Sequence, residues 1–147
     1  MAKAAAAPTG YSGTPLPQKL GFKDGQRVMF IGLPPDLGDL RTSRNFVELA
    51  DAAWDTFSAG KPGYQVIHGF TASRAVLQKA AKKLMALIDR DGAIWISWPK
   101  KASRVETDIT EDVIREVVLP TGLVDVKVAA VSEIWSGLKL VIRKELR

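Results

Sequence analysis

The chain has no cysteine among its 147 residues. That absence removes disulfide staples, thiol nucleophiles and thiolate metal sites together. A single histidine, His68, leaves only scattered carboxylates as metal ligands, so no metal centre is expected. No apolar run approaches the ~20 residues needed to cross a bilayer, and Met1 to Pro8 lacks the apolar stretch of a secretory signal. The expectation is a cytoplasmic protein with no membrane association. A Gly-Lys-Ser/Thr phosphate loop is missing, and Ser12, Ser103 and Ser136 lack the context of a nucleophile elbow.

What is present is an ordinary globular composition, 46% apolar and 25% charged. At this length it makes one domain that buries about two-thirds of its unfolded surface. The balance of 21 Lys and Arg against 16 Asp and Glu gives a net charge of +5. That favours anionic partners, a small molecule or a polyanion, but is modest for a dedicated nucleic-acid binder. A surface kept away from zero net charge for solubility gives the same number.

Along the chain, residues 1–9 read as an Ala-rich tail and 10–147 as the domain. Thr14 and Pro15 open a short helix that Gly21 ends. Arg27 to Ile31 reads as a buried strand, and Pro35 to Ser43 as a short helix. Phe46 to Ala50 fits a strand or, with Ala53, Trp54 and Phe57, a helix; Ser58 to Gly63 is a loop. Tyr64 to Phe70 is a strand, and Thr71 caps a helix to about Asp89 with Lys79, Lys82 and Lys83 off its apolar stripe. Asp91-Gly92 turns into a strand from Ala93 to Trp98. Asp108-Ile-Thr-Glu111 opens a helix that Pro120 and Gly122 stop. Leu123 to Val131 and Leu138 to Arg143, with a loop from Ser132 to Gly137, leave no room for a crossover helix and must be antiparallel.

Strands alternating with helices predict a three-layer α/β, Rossmann-like domain with a mostly parallel sheet, here closed by an antiparallel hairpin. Ligands in such sheets bind outside the carboxyl ends of the strands. Trp98-Pro-Lys-Lys-Ala-Ser-Arg104 leaves one of those ends, and the amino end of a helix follows at about Thr110. Trp98, Lys100, Lys101, Ser103, Arg104 and Thr110 are therefore the candidate anion site: positive side chains beside unpaired backbone N–H groups. Alternatively, Pro99 only ends the strand and the cations sit in water. Asp108 and Glu111 read as helix caps. His68 is a core or sheet-edge histidine, or a general base if it faces the crevice. Trp95 reads as core, and Trp98 and Trp135 as covers of its rim or as stacking platforms.

The antiparallel last strand resembles class I S-adenosylmethionine-dependent methyltransferases, whose penultimate strand Gly122-Leu-Val-Asp-Val-Lys-Val128 also resembles. Gly10-Tyr-Ser-Gly-Thr-Pro-Leu with Lys19-Leu-Gly21, Trp98 to Ser103, Thr107-Asp with Thr110-Glu111, Gly122 to Val128 and Trp135-Ser-Gly-Leu-Lys139 look like the recurring segments of an uncharacterised bacterial family. That second resemblance implies a bacterial source and no particular activity. A working methyltransferase needs a Gly-rich turn after the first strand, whereas Gly32-Leu-Pro-Pro-Asp-Leu-Gly38 places two prolines there. Glu48 or Asp51 would have to hold the ribose hydroxyls; each also reads as a solvated carboxylate. The sequence thus favours a binding or regulatory module for an anionic ligand, with no cofactor and no catalytic residue. The alternatives are a divergent S-adenosylmethionine-dependent methyltransferase and a structural partner whose Lys79, Lys82 and Lys83 meet an acidic protein.

Overall fold

A strand of consecutive apolar residues must be covered on both faces, and Val28, Met29, Phe30 and Ile31 are each no more than 2% exposed. The computed structural model describes residues 13–147; the expected tail and the start of the Gly10 segment lie outside them. Six strands form one sheet: β1 (Arg27–Ile31), β2 (Glu48–Ala52), β3 (Tyr64–Phe70), β4 (Ile88–Pro99), β5 (Leu123–Ala130) and β6 (Trp135–Ile142). Their order is β2-β1-β3-β4-β6-β5, and only the pairings that involve β6 are antiparallel. The α/β domain with a mostly parallel sheet and an antiparallel closing hairpin is as the sequence predicts.

Chain order reverses direction between β1 and β3. The connection from β1 leads outward to β2, and the one from β3 leads the other way to β4. Right-handed crossovers then place the two sets of connections on opposite faces. On one face α2 (Arg74–Leu87) and α3 (Glu111–Val118) bury Leu77, Leu84, Ile114 and Val118 against Ile31, Ile67, Ile94 and Ile96. The other face carries no long helix among the described residues. The short α1 (Leu16–Lys19), its continuation to Phe22, and a 3-10 segment from Pro35 to Thr42 cover Phe30, Val66, Phe70 and Trp95 there. The Trp95 indole N–H donates to the carbonyl of Leu20 at 3.0 Å, tying the amino-terminal segment to the sheet.

Several local expectations are corrected. Pro15, not Thr14, precedes the first helical residue of α1. The helix expected from Pro35 is a 3-10 segment, Pro35–Thr42, instead. Phe46 to Ala50 resolves as a strand two residues further on, Glu48–Ala52, paired in parallel with β1. Ser73 caps α2 by accepting from the amide of Val76, while Thr71 accepts from the amide of Ser73 one step earlier. Asp108 caps α2 and not α3: its Oδ1 accepts from the amide of Arg74 at 2.7 Å, and Thr110 caps α3.

Asp91-Gly92 makes no turn. The strand runs through it from Ile88, and a Cβ on Gly92 would lie 2.8 Å from the carbonyl oxygen of Gln65 at a bulge between Tyr64 and Val66. The glycine therefore serves close backbone approach. The last strand begins at Trp135 and not Leu138, because the Ser132 hydroxyl accepts from the amides of Ile134 and Trp135 and tightens the turn.

His68 lies in the second core, fully buried, stacked on Phe70 at 4.2 Å and tilted against Trp95. Its Nε2 shares a hydrogen bond with the Ser97 hydroxyl at 2.7 Å, and its Nδ1 has no partner. It is a core histidine and faces no crevice. Burial pushes its pKa down from the usual 6.5 to about 3. A histidine depressed in the folded state binds fewer protons than it does unfolded, so its contribution is present above pH 6.5 and lost as pH falls toward 3. His68→Asn keeps a polar partner for Ser97 but does not titrate. Urea unfolding between pH 6.5 and 4.5 should show the wild type losing up to about 1.4 kcal/mol per pH unit more than this variant; parallel pH profiles would refute the assignment.

Candidate functional site

The point where chain order reverses opens a crevice outside the ends of β1 and β3. Its floor is glycine on both sides. Gly32 follows β1 with φ +68°, a left-handed conformation that disfavours side chains, and Gly69 is the penultimate residue of β3. Two close glycines leave space for a group laid against the strand ends, and a side chain of the protein takes that space.

Trp54, two residues beyond β2, lays its ring across both glycines. A Cβ on Gly69 would stand 2.5 Å from Cη2 and 2.7 Å from Cζ2 of the indole, and one on Gly32 would stand 3.3 Å from its Nε1. The indole N–H donates to the carbonyl of Phe70, the last residue of β3, at 2.8 Å. Phe57 meets the ring edge-on at 5.8 Å, and Trp54 packs against the helix-side core. An aromatic ring that satisfies its one donor and fits two side-chain-free surfaces is held from three directions.

The turn after β1 departs from a cofactor cradle in a second way. Between Leu33 and Asp36 stand Pro34 and Pro35, so the backbone offers no N–H group there. The amide of Gly32 is already committed to the carbonyl of Ala52 at 3.1 Å. Of the two carboxylates considered for ribose, Glu48 stands at the opposite end of β2 from the crevice. Arg27 at 2.9 Å and the Tyr64 hydroxyl at 3.0 Å hold it below the usual carboxylate range. Asp51 lies at the crevice end of β2 but pairs with Arg41 at 2.5 Å. These residues do not fit S-adenosylmethionine as the chain is folded.

Not all six residues of the expected anion site are available to a ligand. Trp98 is 8% exposed and faces the helix-side core with Ile94 and Ile96, so it offers no ring to a ligand. The Ser103 hydroxyl donates to the carbonyl of Lys100 at 2.7 Å and accepts from the amide of Val105, within its own turn. Thr110 spends its hydroxyl on the amide of Val113, and Glu111 and Asp112 bring negative charge to the first turn of α3. What stays open is cationic: Lys100 is half-buried, Lys101 and Arg104 are exposed, and none joins an ion pair among the described residues.

Arg104 adopts a left-handed φ of 63°, the one non-glycine residue to do so among those described. That bend ends a 3-10 turn over Lys101–Ser103 and turns the chain toward α2. There Thr107 donates to the carbonyl of Ala72 at 2.8 Å and Asp108 caps the helix. The loop is thereby fixed between two helices. Lys79 and Lys82 line a groove of about 310 Å³ between α2 and α3, with Glu116 and Pro120 on its far wall. No group of residues able to hold a metal ion exists among those described, and no described helix is long and apolar enough to cross a membrane.

Sequence reasoning missed Trp54 as a site residue and placed it among helical positions. The available signal was Gly69, a glycine inside an otherwise apolar strand, which marks close approach by another group.

No protein-family model and no curated protein matches the chain; the resemblance to an uncharacterised bacterial family rests on its quoted segments alone. Solved structures do match. A SAM-dependent methyltransferase from Aquifex aeolicus superposes with a TM-score of 0.63 at 14% identity, over 87% of this chain and 88% of that one. A TehB-like SAM-dependent methyltransferase from Corynebacterium glutamicum gives 0.54 at 12% identity, over 87% and 85%. Magnesium protoporphyrin IX methyltransferase from Synechocystis PCC 6803, solved with bound SAM, gives 0.56 at 13% identity, over 82% and 71%. At these identities the likeness concerns architecture: the chain has the Rossmann-like fold of SAM-dependent methyltransferases.

Proposed function

We propose that this chain is a binding or regulatory module that carries a methyltransferase fold without the methyl-transfer reaction, and that it recognises an anionic ligand. The observation that supports this reading is the Trp54 indole, laid on Gly69 and hydrogen-bonded to Phe70 where the fold would otherwise admit a cofactor. Displacing it costs the ring its packing and its one polar partner, before any gain from a bound nucleoside. The proline pair Pro34-Pro35 adds to this, since it removes two backbone donors from the turn after Gly32.

Under this reading the ligand end of the sheet is the rigid loop after β4, with Lys100, Lys101 and Arg104 as its open cations. Their charges lie at the end of the sheet where α/β proteins bind, and no described carboxylate pairs with them.

A second reading, a divergent S-adenosylmethionine-dependent methyltransferase, is favoured by the fold comparisons, because the matched proteins described above carry that activity in their names. It requires Trp54 to leave the crevice when cofactor enters. Calorimetric titration distinguishes the two. The module reading expects no saturable heat with S-adenosylmethionine or S-adenosylhomocysteine in the wild type. Saturable binding, weakened by Gly32→Val, favours the enzyme and sinks the module.

The loop has its own test. Lys100→Ala with Lys101→Ala should preserve the fold, since neither side chain makes a described bond, and should weaken inorganic phosphate or sulfate binding in a salt-dependent way. Equal affinity in wild type and variant dismisses the loop as the anion site.

A further inference from the structure

Lys127 of β5 and Lys139 of β6 are register partners across the closing hairpin. Side chains directly opposite on one face of an antiparallel pair stand about 5 Å apart at Cβ, and like charges there destabilise the sheet. Lys139 also pairs on its other side with the fully buried Trp95 of β4, and is itself only partly exposed. Two further lysines approach from the segment before β1. Lys19 extends across the sheet to donate to the carbonyl of Ala130 at 3.3 Å, and Lys23 is near enough to act on Lys139 as a like charge.

Burial lowers the Lys139 pKa first, with Lys127 and Lys23 adding to it; burial and then Lys127 lower that of Lys19. The arrangement is therefore costly as it stands. The usual relief is a carboxylate, and none forms an ion pair with Lys127 or Lys139 among the described residues. The acidic residues nearest in sequence are turned elsewhere. Asp125 binds Arg115 at 2.9 Å, and Asp24 accepts from the amide of Asn45 at 2.7 Å. The lysines of α2, by contrast, share their groove with Glu116.

We propose that the outer face of the β5–β6 hairpin, with Lys19, Lys23, Lys127 and Lys139 converging on it, is a binding site for a linear oligophosphate anion. The site is distinct from the loop after β4 and does not depend on the function proposed above. Four ammonium groups from three elements match an extended, multiply charged ligand better than a single carboxylate. Lysine also presents a compact point charge suited to phosphate oxygens, where recognition of a planar carboxylate would use the arginine fork. Two of the four stand on paired strands, so the positions of their backbones are fixed before ligand arrives. A bound anion would remove the repulsion that the free protein carries.

The test is titration of the wild-type chain with tripolyphosphate at low ionic strength, repeated with Lys127→Gln/Lys139→Gln and with Lys100→Ala/Lys101→Ala. The proposal expects the hairpin variant to lose about tenfold or more in affinity and to melt higher than wild type without ligand, because repulsion is gone. The loop variant should keep the tightest tripolyphosphate affinity of the wild type, losing at most the weaker anion binding of the loop itself. Orthophosphate should bind at least about tenfold more weakly than tripolyphosphate. Undiminished affinity in the hairpin variant, or equal affinity for the two phosphates, overturns the assignment. Tighter binding of a short oligothymidylate than of tripolyphosphate, through the same lysines, would overturn it in favour of a nucleic-acid backbone. The melting measurement shows that any loss is not a loss of fold, and the loop variant separates failure of this site from failure of the other.

Discussion

The Trp54 indole, seated on Gly69 and bonded through its N–H to the Phe70 carbonyl, fixes the shape of the sheet where its chain order reverses. An open α/β sheet creates a crevice wherever its chain order reverses, and that crevice is the natural ligand site of the architecture. Here the glycines that make such a crevice deep are present, and the depth is filled from within by the residue two places beyond β2. The ring closes β1 against β3 at their ends and extends the helix-side core to the edge of the sheet. The polar loop after β4 is exposed at that edge, as are Gly32 after β1 and Asp51 near the end of β2.

The same economy explains the other face. Among the described residues it is covered by the short α1, the stretch to Phe22, and a 3-10 segment started by two prolines. Coverage this thin depends on point attachments. The Trp95 indole reaches the Leu20 carbonyl, and Phe22 meets Phe30 and Phe46 edge-on at 5.6 Å each. Beneath them His68 and Ser97 satisfy one another in a core otherwise aromatic and aliphatic, at the cost of one unpartnered nitrogen. Where the coverage ends, at the outer hairpin, the lysines of β5 and β6 begin.

Much of the architecture was legible because its signals are local. Arg27 to Ile31 and Tyr64 to Phe70 are apolar runs bounded by turn residues, and their limits match the strands observed. The closing hairpin followed from a connection too short for a helix. Signals that depend on tertiary partners misled. Asp91-Gly92 has the chemistry of a turn, yet the glycine lies in a strand because the carbonyl of Gln65 comes too close for a side chain. Asp108 has the spacing of a cap for α3, yet loop geometry carries it to α2. The site suffered most from this. The cations of the loop were visible in sequence, but nothing local says that Trp98 points into the core or that Trp54, far away in sequence from Gly69, would rest on it.

The central claim is that the crevice is closed by Trp54. A crystal structure grown with saturating S-adenosylhomocysteine tests it most directly. The account predicts the indole still bonded to Phe70 and against Gly69, with no nucleoside between the ends of β1 and β3. A nucleoside bound there, with the Trp54 ring swung away from the strand ends, would contradict it.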